Sequence, residues 1–527
     1  MHSTGPIVRI APGQYSVDSL DAAKTIYGHG SHFRKNDWYS VWGDPSLRNH
    51  FSETDPKAHA NSRRQVSSVY SMSNMVSYEP YVDECTEILS QRFSEFSAQG
   101  TVIDLGHWFQ CYAFDVIGKI TFSRRFGCLD AGGDPQHVMK ELDDSIQLSS
   151  ALGVYPWLWP PIFKLLQQLG KGKEPKGTAF VVKYAAEQVT ARQQEEKPAD
   201  GPQDFISKLV QAQKERPETV TSIAIQLAGG ANIAAGSDTT AISLSGMMYN
   251  LCKHPHAMQR LRKELDDAAA DGSISNPITF REAQALPYLQ AVIKESLRVH
   301  PATGFTMPRV VPEGGRQLAG SFLPEGTVVG INAWVAHHNE EVFGHDAAQF
   351  RPERWIDSSK EQKSAMESYF FTFGQGSRTC IGKNISLLEV SKAIPRMIQE
   401  FDFILEKEDD WHCTNYCNNH HSHKTITNEQ LLEASRNQFN LQQITLLQPT
   451  INMPRDGSGA SDNAVEAGHD IVHGAGVEKS DHVDRADKTA PMPEKEEGLA
   501  IKDLPASGGT SQGLAKGDNV GQGGRSS

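Results

Sequence analysis

Apolar residues recur every three to four positions from Pro287 to Val299 and from Val69 to Phe96, the spacing of helices that bury one face. A longer, almost wholly apolar stretch from Pro217 to His254 predicts a helix buried on most sides. Strand signals are short. Ile7-Val-Arg-Ile-Ala and Gln14-Tyr-Ser-Val read as a small hairpin, and Thr327 to Asn332 reads as a strand entering a helix. The pattern predicts a mainly α protein with small β-sheets. Val154-Tyr-Pro-Trp-Leu-Trp-Pro-Pro161 is aromatic and proline-rich and is expected to be a packed surface loop, with a loop near a membrane or the substrate entrance as the alternative. The core of the long apolar stretch, Ile223 to Tyr249, has the length to cross a membrane, but Gln226, Asn232, Ser237, Asp238, Thr239 and Thr240 would then face hydrocarbon. A buried core helix is the expected reading.

Composition changes the picture mainly at the end of the chain. Of 527 residues only 38% are hydrophobic, and the deficit lies beyond Ile451, where Gly, Ser, Ala, Asp, Glu and Lys dominate. This divides the chain into a body over 1–405, a divergent segment over 406–450 and a disordered low-complexity tail over 451–527. A formal charge of −13 argues against a nucleic-acid partner. Seven cysteines without regular spacing fit a reducing compartment, and no phosphate loop, dinucleotide fingerprint, zinc-protease helix or nucleophile elbow is present.

The most informative run is Phe371-Thr-Phe-Gly-Gln-Gly-Ser-Arg-Thr-Cys-Ile-Gly382. With five positions fixed, a chance match somewhere in such a chain has odds on the order of 10⁻⁴. A thiolate that ligates iron must stay ionised, point at the metal and be shielded from oxidation. Around Cys380, Gly376 and Gly382 are expected to adopt positive φ and to let backbone N–H groups approach the sulfur. Arg378 offers a fixed cation to a haem propionate, and Phe373 closes the apolar side of the sulfur. A helix starting at Ile381 turns the positive end of its dipole toward the thiolate. Cys380 is therefore the candidate metal ligand.

With this motif the chain resembles the cytochrome P450 family from about Gly5 to about Asn415. Glu295-Ser-Leu-Arg298 and Arg351-Pro-Glu-Arg-Trp355 match two further motifs, and the resemblance implies a buried ion-pair triad of Glu295, Arg298 and Arg354. It also implies a haem b held between the ligand loop and an oxygen-side helix, with His59, Arg63, Arg309 and Arg378 as propionate cations; Arg64 would point elsewhere. On the oxygen side, Ala235-Gly-Ser-Asp-Thr-Thr240 puts poor helix formers at a helix centre. That cost predicts a local bulge there. The resemblance makes Gly236, Asp238 and Thr239 the catalytic group, Thr239 by hydrogen bonding on the oxygen side and Asp238 in the proton path. Ala231, Ala235, Thr303, Gly304 and Phe305 are the candidate pocket lining.

Local similarity from Arg298 to Trp355 is strongest to filamentous-fungal enzymes of the pisatin demethylase type. It implies a secondary-metabolism monooxygenase that takes O₂, electrons from NADPH through a flavoprotein reductase, and a small lipophilic substrate. Two alternatives stand beside it: a non-redox haem-thiolate isomerase or dehydratase, and an inactive haem-binding product of an incomplete gene model. The second is motivated by the ends. The fold is expected to be truncated at both, without membrane anchor, hinge or first helix before Gly5 and without closing strands after Tyr416; the endoplasmic-reticulum cytosolic face is expected if a full-length form carries an anchor. Cys413, Cys417, His421 and His423 are a weaker, zinc-like grouping.

Overall fold

A computed structural model describes residues 5–170, 177–194 and 203–405, together with the strands 413–415, 419–421 and 443–447. The tail over 451–527 lies outside the described residues, as do the side chains of the zinc-like grouping. Two long helices form the centre. Leu105–Phe122 is buried on nearly every side, with the Asp104 side chain accepting from His107 N at 3.1 Å as its N-cap. Ser222–Lys253 packs along it, capped by Thr221, and its interior from Asn232 to Met248 is mostly buried. Met72–Gln99 and Lys383–Glu400 pack on this pair, and Pro287–Val299 lies against Ser222–Lys253. The first of these helices ends at Gly100, whose φ of 61° closes it in the left-handed conformation.

The hairpin Ile7–Ala11 and Gln14–Val17 forms as its alternation predicts and opens a five-stranded sheet. Val328–Gly330 pairs parallel with Gln14–Val17, then Arg309–Val310 and Arg34–Lys35 follow antiparallel, with Lys35 directly opposite Arg309. The segment expected to stand in place of closing strands carries strands of its own. Gln443–Leu447 pairs between Val102–Asp104 and Asp402–Leu405, and Cys413–Asn415 pairs with Asn419–His421. Sequence reasoning missed them because the linking residues carry no alternating pattern.

The Val154–Pro161 segment is less packed than expected. Trp157 is 71% exposed, and only Trp159 is buried, its indole donating to Gly43 O at 2.8 Å. Among the described residues no helix is long and apolar enough to cross a membrane, in line with the core-helix reading of Ile223 to Tyr249.

Candidate active site

The Cys380 loop is a compact turn, with Cys380 N donating to Phe373 O at 2.8 Å and Thr379 N to Gly376 O at 3.1 Å. Gly376 has φ of 63°, and a Cβ there would stand 1.8 Å from Tyr27 O, so only glycine fits. Gly382 differs from expectation: its φ is −83°, and a Cβ there would meet the sulfur at 3.9 Å, an ordinary contact. Its contribution is its N–H, which with that of Lys383 is directed at the Cys380 sulfur. Gly382 is the N-cap of Lys383–Glu400 and supplies no side-chain cap, leaving those amides for the thiol. Burial pushes the thiol pKa up, against the opposing pull of these amides and of Arg63. The residue is nonetheless exposed. Both hold for a sulfur that opens into an enclosed chamber.

Cations gather around this loop. Arg63 donates to Thr379 O at 2.8 Å, and Arg378 to Glu53 O at 2.7 Å. Arg309, buried, donates to Met307 O, Pro308 O and the Tyr39 hydroxyl at 3.0 to 3.1 Å. His59 is buried, and burial followed by the Arg378, Lys35, His50 and Arg63 charges holds its pKa down to about 2. Arg378 is held down to about 10 by burial and then by Arg309. Lys35 belongs to the same group and was missed from sequence. Its ammonium donates to Phe51 O at 2.7 Å and lies 4.3 Å from the Tyr39 ring centre. Burial, then Arg309 and Arg378, depress its pKa well below the usual lysine range. The signal was available: in Phe33-Arg34-Lys35 the strand alternation puts Lys35 on the buried face with Phe33. Among the described residues, Lys35, Arg63, Arg309 and Arg378 form no ion pair with a carboxylate. Arg64 is exposed.

Across from the loop, Ser222–Lys253 carries a stripe of accessible side chains along its mostly buried middle: Leu227, Ala231, Ala235 and Thr239, spaced by four, of which Ala235 is exposed. The expected bulge is absent, and the helix runs unbroken through Gly236–Thr240. The poor helix formers accommodate themselves by bonding back to the preceding turn: Ser237 Oγ to Ile233 O at 2.8 Å, Thr239 Oγ1 to Ala235 O at 2.7 Å. Gly236, expected in the catalytic group, instead faces the neighbouring helix, where a Cβ would stand 3.1 Å from Ile117. Asp238 is buried beside Thr239 and accepts at Oδ1 from Gln110 Nε2 at 3.0 Å. Thr240 Oγ1 meets Ser386 Oγ at 3.2 Å, which ties this helix to the one that follows Cys380. Of the other lining candidates, Thr303 is half-buried, Gly304 is buried, and Phe305 stacks on Trp38 with ring centres 4.7 Å apart. Phe305 is thus part of an aromatic cluster with Trp38, Tyr39 and Phe51.

The sequence model of the family described as Cytochrome P450 matches residues 1–427. The chain belongs to the cytochrome P450 family. Pisatin demethylase of Fusarium vanettenii is 41% identical over 408 residues, covering 77% of this chain and 79% of that protein. A cytochrome P450 monooxygenase of Aspergillus terreus is 37% identical over 411 residues, covering 76% and 82%. The cytochrome P450 monooxygenase cicH of Emericella nidulans is 36% identical over 422 residues, covering 78% and 83%. The chain is an oxidoreductase similar to fungal P450 monooxygenases, many of them from secondary metabolism.

Haem binding is a general property of P450s, and the residues here fit that group. A thiol opening into a chamber suits an axial ligand, since a metal deprotonates a coordinating thiol outright and so overrides the burial that raises its pKa. Four buried or half-buried cations that, among the described residues, form no ion pair with a carboxylate suit a dianion, because buried charge is tolerated when paired. Phe373, half-buried against the main core, has the Lys383 ammonium 5.6 Å from its ring centre.

Behind this P450 ligand loop the motifs Glu295-x-x-Arg298 and Arg354 meet as one buried cluster. Arg298 donates to both Glu295 oxygens at 2.8 and 2.9 Å, and Arg354 Nε to Oε1 at 2.9 Å. All three are 0% exposed. Trp355 Nε1 and the Arg351 amide add bonds of 2.9 and 2.8 Å to the same carboxylate. The two guanidiniums then reach carbonyls of His337, Phe343, Asp346, Ala347 and Gln349. His337, another residue with no sequence signal, joins this cluster to the ligand loop. Its Nδ1 bonds Arg298 O at 2.9 Å, and its Nε2 accepts from Phe371 N at 2.8 Å. Burial holds its pKa down to about 3, so the ring is neutral with one donor and one acceptor nitrogen.

Proposed function

We propose that the protein is a haem-thiolate monooxygenase that inserts one oxygen atom of O₂ into a small lipophilic substrate in fungal secondary metabolism. Electrons come from NADPH through a flavoprotein reductase, so substrate, O₂, NADPH and a proton give hydroxylated product, NADP⁺ and water. The body over 1–405 is the catalytic domain, and the endoplasmic-reticulum cytosolic face is its site if a full-length form is anchored. The observation that carries this reading over a non-redox rearrangement is Asp238 beside Thr239, an acid next to a hydroxyl on the accessible stripe, in a helix hydrogen-bonded through Ser386 to the ligand helix.

The haem supplies the oxygen-activating chemistry when bound. Cys380 would be its ligand, and Lys35, His59, Arg63, Arg309 and Arg378 would receive its carboxylates. Thr239 and Asp238 would move protons from the buried side of the helix to the chamber. Ala231, Ala235 and Thr303 shape an apolar pocket beside them, while Gly304 and Phe305 act through the wall, Gly304 O accepting from Asn332 at 2.7 Å.

The test is a carbon-monoxide difference spectrum of the reduced protein, followed by NADPH- and O₂-dependent conversion with a reductase. Pisatin, named in the matching relatives, is the first probe. A thiolate-type band that disappears in Cys380→Ser supports the ligand assignment, and an unchanged band refutes it. Conversion that proceeds without NADPH and O₂ would favour the rearrangement chemistry.

A further inference from the structure

Helix Leu105–Phe122 grips the stripe-bearing helix at three levels. Thr121 Oγ1 accepts from Asn232 at 3.2 Å, Ile117 fills the notch over Gly236, and Gln110 Nε2 donates to Asp238 Oδ1 at 3.0 Å. Only the third contact touches a group with proton-transfer chemistry. Asp238 and Thr239 are adjacent in sequence and so about 100° apart around the helix. Thr239 lies on the accessible stripe, whereas Asp238 is 2% exposed and turned to the neighbouring helix. A carboxyl in that position moves protons to the chamber only in a defined orientation, and the amide of Gln110 fixes it.

We propose that Gln110 is a positioning residue for proton delivery: by holding Asp238 Oδ1 it sets the carboxyl plane, and with it the direction in which the second oxygen exchanges its proton. The inference rests on the proposed role of Asp238 in the proton path. An amide suits the task better than a cation. Lysine or arginine at 110 would make a charge-assisted pair and hold the carboxylate as an anion, whereas an amide donates one bond and leaves the acid free to take up and release a proton. The donor is itself well fixed. It projects from a helix that is buried on nearly every other face and that is pinned to its partner about two and three turns further along.

The experiment measures oxygen consumption driven by NADPH and a flavoprotein reductase, without organic substrate, in H₂O and in D₂O. The parent is compared with Gln110→Leu, Gln110→Glu, Asp238→Asn and the double variant Q110L/D238N. Oxygen then leaves as peroxide or as water, both requiring protons, so no substrate need be known. The thermal midpoint and the carbon-monoxide difference band report folding and haem content. Gln110→Glu has the same size and keeps the question open to test if the leucine variant does not fold.

Both Gln110 variants are expected to slow oxygen consumption about tenfold, the scale of one hydrogen bond to a carboxylate, and to raise the solvent isotope effect at an unchanged carbon-monoxide band. The double variant is expected to match Asp238→Asn alone. Parent rate and parent isotope effect in both Gln110 variants, with Asp238→Asn slowed, would overturn the role of Gln110 and leave that of Asp238 standing. An additional loss in the double variant equal to that in Q110L would also overturn it, because Gln110 would then act independently of the acid. An unaltered Asp238→Asn removes the proton-path reading itself, and the inference with it.

Discussion

Replacing Glu295 by glutamine keeps the shape of the buried cluster and removes one charge, which isolates electrostatics from packing. In the parent the carboxylate receives five hydrogen bonds, from Arg298 Nε and Nη2, Arg354 Nε, Trp355 Nε1 and Arg351 N. The glutamine amide turns one acceptor into a donor facing other donors. Of the two guanidiniums, both 0% exposed, Arg354 then keeps a carboxylate, Asp346 at 2.8 Å, and Arg298 keeps only carbonyls. Removing one partner of a buried ion pair costs about 3–5 kcal/mol. Against a stability of about 5–15 kcal/mol this takes away about a fifth or more. The five carbonyls held by the two arginines belong to the stretch 337–349, and His337 passes the disturbance to Phe371 at the start of the ligand loop. Glu295→Gln is therefore expected to lower the urea midpoint substantially and to reduce the haem bound per protein. Both are measured on the purified chain, by denaturation followed by fluorescence and by the carbon-monoxide difference band. A midpoint within about a tenth of the parent's together with full haem content would refute the reasoning, since it would mean the cluster had found another counter-charge.

Gly376→Ala puts a Cβ 1.8 Å from Tyr27 O at a φ of 63°, so the ligand loop must move; loss of the carbon-monoxide band at retained far-ultraviolet helicity is the expected outcome. Lys35→Met removes a buried cation but preserves its volume. The apoprotein is expected to be as stable as the parent or more so, while transfer of haem to a scavenger speeds up severalfold, and an unchanged transfer rate would exclude Lys35 from haem retention. His337 gives a pH signature. Its folded pKa of about 3 lies below the ordinary 6.5, so the unfolded chain binds the extra proton. Its neutral form is fully stabilising above pH 6.5, and stability falls by about 1.4 kcal/mol per unit as pH drops from there toward 3. His59 and His300 are held down likewise, so urea midpoints at pH 7 and pH 5 should show at least this slope in the parent and one shallower by the His337 share in His337→Gln.

What could be read in the chain beforehand was set by how local the determinants are. Pro287–Val299 and the Ile7–Val17 hairpin were legible to the residue, because periodicity and Pro at the first helical position are local signals. The glycines of the ligand loop were legible as a set but not singly: Gly376 needs its positive φ because Tyr27, far away in sequence, lies against it, whereas Gly382 does not. The bulge expected at Gly236–Thr240 is absent because serine and threonine satisfied themselves on carbonyls four residues back, an outcome that propensities do not distinguish from a break. Gln110 and His337 left no motif at all, and Lys35 only a short strand alternation. Each matters through a partner more than 30 residues away, at Asp238, Arg309 and Arg298, and only the packed chain brings those pairs together.

The bond from Thr239 Oγ1 to Ala235 O, 2.7 Å long, has a consequence for what the chamber can hold. A hydroxyl has one proton, and at rest this one is given to the helix. To pass a proton outward, as the proposed relay requires, the O–H must turn away from Ala235 O, so the hydroxyl has two settings. Turned inward, it shows the chamber lone pairs only and steadies what arrives with a proton of its own, a water molecule or an alcohol. Turned outward, it donates to an acceptor and leaves a helix carbonyl unpaired, a cost that returns the wall to its first setting once the proton has gone.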